Sequence, residues 1–191
     1  MQEKIQNAII VIKQGGIIIF PTDTAFGIGC RIDDEKAVKR LFGIKQRSET
    51  QATPVLVDSI TMAQEYLLPI PEDVKEKLMD KYWPGALTII LQSRIEKVSS
   101  LVRGGTSTLG VRMPDHVIAR ALIKAVGVPL IGTSANFHGQ PTPYTLEELD
   151  KELIKQVDFV LPGMCKTQQP STVIDCSQNP WKVLREGAVN I

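Results

Sequence analysis

The first residues able to do chemistry are Pro21-Thr22-Asp23-Thr24, followed closely by Gly27 and Gly29. Their hydroxyls and small residues could line a pocket in which a ligand approaches the backbone. The same residues would also make a plain turn through Asx-type hydrogen bonds. Lys45-Gln46-Arg47 is the second candidate. Read as an extended segment, it points two cations to one side, which suits a phosphate group; a basic pair after a helix is otherwise ordinary solvated surface. In the stretch from Gly104 to Pro114, Ser107 and Thr108 offer hydroxyls, and Arg112 alternates with Val111 and Met113. Arg112 could therefore face a cleft while its neighbours face the core, the alternative being a snorkelling or ion-paired arginine. Thr133, Ser134, Asn136 and Thr142 follow an apolar run, at the kind of strand end where open α/β sheets bind ligands. Ser171-Thr172 and Arg185 add a further hydroxyl pair and cation.

Other chemistries lack their residues. There is no GxxxxGK[ST] loop, GxGxxG turn or HExxH pair. His116 and His138 are the only histidines, and neither has the context of a catalytic triad. Cys30, Cys165 and Cys176 lack the short paired spacings of a zinc site or disulfide framework, so they read as reduced packing residues of a cytoplasmic protein. Cations and hydroxyls without a covalent nucleophile suit the holding of a polyanion and the orienting of small molecules.

These loops need elements to position them. The 191 residues carry 22 basic and 21 acidic side chains, so the net charge does not advertise nucleic acid. No stretch approaches the roughly 20 apolar residues of a membrane span. Ile5, Ala8, Ile9 and Ile12 form a helical face that Gly15-Gly16 would end, and "IIIF" reads as a strand closed by Pro21. A second helix is expected over Asp34 to Phe42, and "TPVLVDS" as a strand leading to a cap. Helices are expected in "SITMAQEYLL", "PEDVKEKLMDKYW" and "HVIARALIKAVG", with another near Leu146 to Lys155. Strands are expected in "ALTIILQ", "TLGVRM", "VPLIGT", "VDFVL", "STVIDC" and "WKVLRE". Their alternation predicts one α/β domain over residues 1–191, a twisted mixed open sheet with flanking helices.

Taken in order, "PTDTAFGIG", "KQR", "WPGALTIIL", "STLGVRMP", "GTSANFHGQPT", "PSTVID" and "LREGAV" resemble the YrdC-like family of threonylcarbamoyl-AMP synthases. The resemblance runs from about Gly16 to Val189 and is to the short, single-domain type. It implies a large, often positively charged concave cavity, and an enzyme that joins L-threonine, bicarbonate and ATP, with Mg²⁺, into threonylcarbamoyl-AMP and pyrophosphate. Other proteins would then transfer the threonylcarbamoyl group to tRNA. Carried over by position, Thr22, Arg112, Ser134 and Ser171 would contact threonine. Lys45, Arg47, Thr108, Asn136, Tyr144 and Arg185 would contact ATP, with Lys45, Arg47 and Arg112 closest to the chemistry; no protein metal site is implied. The chain departs from the family pattern at Ala25-Phe26, at Ser48, at Thr53 where a lysine is common, and at Asp58 where a histidine is common. A divergent YciO-like or hydrogenase-maturation-like paralogue acting on a carbamoyl-adenylate is therefore a second reading, and a module that binds RNA directly is a third.

Overall fold

The computed structural model describes residues 1–191. Helix α1 (Gln2–Lys13) buries Ala8, Ile9 and Ile12, and the chain leaves it through Gly15 at φ +84°. Strands β1 (Ile18–Pro21) and β2 (Phe26–Gly29) are antiparallel and buried throughout. Pro21 is the last residue of β1, where its missing N–H interrupts nothing further along the strand.

Helix α2 (Glu35–Lys45) starts on Asp34, whose side chain accepts from the amides of Lys36 and Ala37, both at 3.0 Å. It runs three residues beyond the expected end at Phe42, because Ile44 continues the buried face set by Val38 and Leu41, and this packing outweighs the low propensity of Gly43. Gln46 then closes the helix in the left-handed region at φ 51°. The extended reading of Lys45-Gln46-Arg47 is thus corrected: Lys45 is the last helical residue, and a left-handed turn separates it from Arg47.

Strand β3 (Val55–Leu56) leads to Ser59, which caps α3 (Ile60–Tyr66). Helix α4 (Glu72–Val74) passes through a π-helical turn (Lys75–Met79) into α5 (Asp80–Tyr82). Strand β4 (Leu87–Gln92), helix α6 (Ser100–Arg103) and strand β5 (Thr108–Arg112) precede α7 (Val117–Val126). Helix α7 begins on His116, whose Nδ1 accepts from the Ala119 amide at 3.4 Å. The chain ends with β6 (Leu130–Ile131), β7 (Thr133–Ser134), α8 (Lys151–Ile154), β8 (Phe159–Val160), β9 (Thr172–Asp175) and β10 (Lys182–Arg185). The helix expected from Leu146 is confined to α8. Glu148 accepts from the amides of Tyr144 and Thr145 in a preceding turn, and Asp150 starts the helix afresh by capping Glu152 and Leu153.

The fold is α/β, with a twisted mixed sheet in two hydrogen-bonded parts, ordered β7-β2-β1-β8 and β10-β9-β4-β5-β3-β6. Pairs β1/β8, β3/β5 and β4/β9 are parallel and the others antiparallel. The parts meet where the Ile131 amide donates to the Cys30 carbonyl at 2.9 Å. That approach needs Gly29, since a Cβ there would collide with the Ile131 carbonyl. Between β6 and β7, Gly132 lets the chain cross from one part to the other against Leu56. Ala8 and Ile12 of α1 and Leu122 and Ile123 of α7 pack with Ile18 and Phe20 on one side, and a larger apolar core lies between α2, α4 and β4. No helix is long and apolar enough to cross a membrane.

Candidate functional site

Thr22, Arg47, Arg112, Ser134, Ser171 and Arg185 come together from distant parts of the chain around a cleft of about 210 Å³. Only two of its 16 lining residues are hydrophobic, which marks a site for a polar ligand. Strand β1 delivers Thr22 to the wall, and the Thr22 hydroxyl donates to the Ala25 carbonyl at 2.7 Å. The same oxygen accepts weakly from the amides of Thr24 and Ala25, at 3.2 and 3.3 Å. The turn reading and the cleft reading of this stretch are therefore both true of the same hydroxyl.

Three arginines supply the charge. Arg112, at the end of β5, donates from Nη1 to Asp23 Oδ1 at 2.7 Å, and both side chains are buried. A single-point contact leaves the other guanidinium nitrogens available to the cleft, where a carboxylate could take two parallel bonds. Asp23 itself is locked by its carbonyl, which accepts from the amides of Lys166 and Thr167 at 3.0 and 2.9 Å. Arg185 donates from Nε and Nη2 to the Ser171 carbonyl at 3.0 and 2.8 Å, and from Nη2 to the Ser171 hydroxyl at 3.0 Å. That hydroxyl also pairs with Thr88 Oγ1 at 2.9 Å. Arg47 donates to the carbonyls of Gln51 (3.1 Å) and Ala52. Burial pulls Arg47 and Arg185 below the ordinary arginine value, Arg112 adding to the effect on Arg185; guanidinium groups nevertheless stay charged. No carboxylate lines the cleft and only Asp23 lies against its arginines, so it carries an excess of positive charge and attracts anions.

The other four expected residues do not line this cleft. Lys45 is buried behind it, and its ammonium donates to the carbonyls of Ser134 (2.5 Å) and Asn136 (2.7 Å). Burial, with a smaller effect from Arg47, pushes Lys45 down to about 7. Asn136 accepts from the Ser134 hydroxyl at 2.6 Å and donates to the Gln140 carbonyl at 2.5 Å. Tyr144 is half-buried in the turn where its amide donates to the Glu148 carboxylate at 2.6 Å. Thr108 pairs with Gln92 at the opposite end of β5 from Arg112, a separation of about 13 Å along a strand.

Sequence reading placed Asp23 in the first polar loop, beside its turn reading, and assigned it no ion-pair partner. The available signal was an arginine inside an apolar strand, since a buried arginine requires a partner. Thr24 and Thr133, both among the candidate hydroxyls, also line the cleft, as do Thr88 and Pro54, for which a single hydroxyl in an apolar strand and a proline ahead of one give no such signal. No group of three or more histidine, cysteine or acidic side chains is placed to hold a metal. Burial raises Cys30 and Cys176 to about 12, which suits packing and not nucleophilic attack.

A family model described as "Telomere recombination", the Sua5/YciO/YrdC model, matches residues 10–187. The chain belongs to the Sua5/YciO/YrdC family. Among its members, the threonylcarbamoyl-AMP synthase of Bacillus subtilis is 32% identical over 97% of this chain. The chain spans only 54% of that protein's length. The crystal structure of Pyrococcus abyssi Sua5 complexed with L-threonine superposes with a TM-score of 0.93 at 33% identity, covering 99% of this chain and 55% of that one. The crystal structure of Escherichia coli YciO gives a TM-score of 0.88 at 31% identity, covering 100% of this chain and 92% of that one. The Sua5/YciO/YrdC fold is thus present from end to end, and the cleft lies within it.

Proposed function

We propose that this cleft makes threonylcarbamoyl-AMP and pyrophosphate from L-threonine, bicarbonate and ATP. The observation that carries the reading is Arg112, presented into a polar cleft by Asp23 and accompanied by two arginines with no carboxylate of their own. Arg112 grips the carboxylate of threonine, while Thr22, Ser134 and Ser171 surround its neutral groups. Arg47 and Arg185 face the phosphates, with Asn136 and Tyr144 toward the nucleoside and Lys45 behind them. Thr108 is reached only by a ligand that extends beyond the cleft, as ATP does. Mg²⁺ arrives with ATP as part of the substrate, consistent with a lining of hydroxyls and cations and no carboxylate ligand set.

The threonine amine attacks carbon dioxide with loss of a proton, or bicarbonate with expulsion of water, to form a carbamate, and a carbamate oxygen then attacks the α-phosphate, breaking its bond to the departing pyrophosphate. The protein's share is proximity and the stabilising of charge on that leaving group. The product passes to threonylcarbamoyl-transfer proteins acting on tRNA. The test is pyrophosphate release from ATP and Mg²⁺ with threonine or bicarbonate omitted in turn. Release is expected only when both are present, and turnover that ignores both omissions would overturn the reading.

A second reading is favoured by Thr53. It occupies a position where the family resemblance expects a lysine and is buried with an unpartnered hydroxyl, leaving this segment one cation fewer for a triphosphate. On that reading the cleft accepts a preformed carbamoyl-adenylate, and consumption of such an adenylate without ATP distinguishes it.

A further inference from the structure

We propose that Lys45 is a positioning residue that holds the turn at 134–138 from behind the cleft, so that Ser134 faces the ligand, and that it does not itself meet the triphosphate. This rests on the functional reading above only for the identity of the ligand. Two separate contacts tie Lys45 to that turn. Its ammonium donates to the carbonyls of Ser134 and Asn136 at 2.5 and 2.7 Å, with Asn136 Oδ1 at 3.4 Å. Its own carbonyl accepts from the His138 amide at 3.1 Å. An ammonium has three donors, and three oxygens of the turn surround this one.

The turn is fastened internally as well, since the Ser134 hydroxyl donates to Asn136 Oδ1 at 2.6 Å and Asn136 Nδ2 donates to the Gln140 carbonyl. Its far side pairs with β2 through Ser134 and Gly27, and the Ala135 amide donates to the Phe26 carbonyl at 2.8 Å. The turn is therefore clamped between β2 and the C-terminus of α2, and Lys45 is the α2 side of the clamp. Lys45 has a relative exposure of 3% and does not line the cleft, whereas Ser134 does. For a phosphate to take the ammonium, the two half-buried carbonyls would have to give up their charged donor, which is unfavourable.

The test uses the full chain carrying Lys45→Met. In the ligand-free protein, hydrogen exchange at the amides of 134–138 is expected to quicken by about tenfold or more, with β1 unchanged, as local opening becomes easier. Affinities for ATP and AMP are expected to fall by the same factor, about tenfold, because a displaced turn harms both. Unchanged exchange at 134–138, or a loss confined to ATP, would overturn the proposal. If neither nucleotide binds the wild-type protein, the functional reading fails while the exchange measurement still decides the role of Lys45. Should Lys45→Met fail to fold, Lys45→Gln, which keeps a donor, carries both measurements with smaller changes in the same direction.

Discussion

Arg112 is held by Asp23, a carboxylate as deeply buried as itself and 89 residues away in the chain, whereas Arg47 is held by the carbonyls of Gln51 and Ala52 in its own loop. The first arrangement joins the β1–β2 turn to β5. The second is local, and its cation has no opposite charge to satisfy it. A buried, compensated arginine gives a fixed direction for gripping one carboxylate, while an uncompensated one gives the net charge that a polyanion needs. The same contrast separates what each region contributes to stability from what it contributes to binding.

The largest expected effect comes from breaking the compensated region. Asp23→Ala leaves the Arg112 charge buried without its partner, and should cost about 3–5 kcal/mol of stability in urea unfolding. A cost below about 1 kcal/mol would remove the distinction between the regions. Arg47→Ala should do the reverse, leaving stability nearly unchanged. Losing charge-assisted bonds worth about 1.5–3 kcal/mol should weaken nucleotide affinity about tenfold to over a hundredfold in titration calorimetry. That loss should shrink in high salt. Thr53, at the end of the Arg47 loop, has a buried hydroxyl with no hydrogen-bond partner. Thr53→Val keeps its shape and removes that hydroxyl, so the midpoint of unfolding should rise by an amount equal to about 1 kcal/mol.

A pH dependence is expected at the boundary of the two regions. Lys45 lies at about 7 in the folded protein against its ordinary 10.5, because burial, and then Arg47, disfavour its charge. Between those values the unfolded chain binds the extra proton, so this group's contribution makes stability rise with pH across that window and stay flat below it. Urea unfolding of wild-type and Lys45→Met proteins at several pH values should show the difference between them growing in favour of the wild type from pH 7 upward. A difference independent of pH would mean that Lys45 keeps its proton throughout.

The compensated region was largely legible in the sequence. Alternation left Arg112 open between a cleft and an ion pair, and the structure gives it both, while Pro21 marked the end of β1 and the succession of strands and helices implied the mixed sheet. Asp23 was not legible as a partner, because an ion pair between residues 89 apart is made where the fold brings the β1–β2 turn to the end of β5 and by no local pattern. The Lys45 segment was misread for a different reason. The helix was expected to end at Phe42, but the buried Ile44 carries it on to Lys45, and the left-handed Gln46 then turns Arg47 away from it. Near Leu146, two acidic residues compete for the same helix start, and the outcome in favour of Asp150 depends on Glu148 being engaged by Tyr144 and Thr145. Of the expected site, Thr22, Arg47, Arg112, Ser134, Ser171 and Arg185 reach the cleft, while Lys45 and Asn136 support the turn beside it.

The proposed reaction joins an amino acid, a one-carbon unit and a nucleotide in one cleft. The most direct measurement is mass spectrometry of the adenylate formed from L-threonine, ATP, Mg²⁺ and isotopically labelled bicarbonate. The account predicts one labelled carbon in an adenylate that also contains threonine, formed together with pyrophosphate. An adenylate without the label, or ATP broken down at a rate indifferent to threonine and bicarbonate, would contradict it.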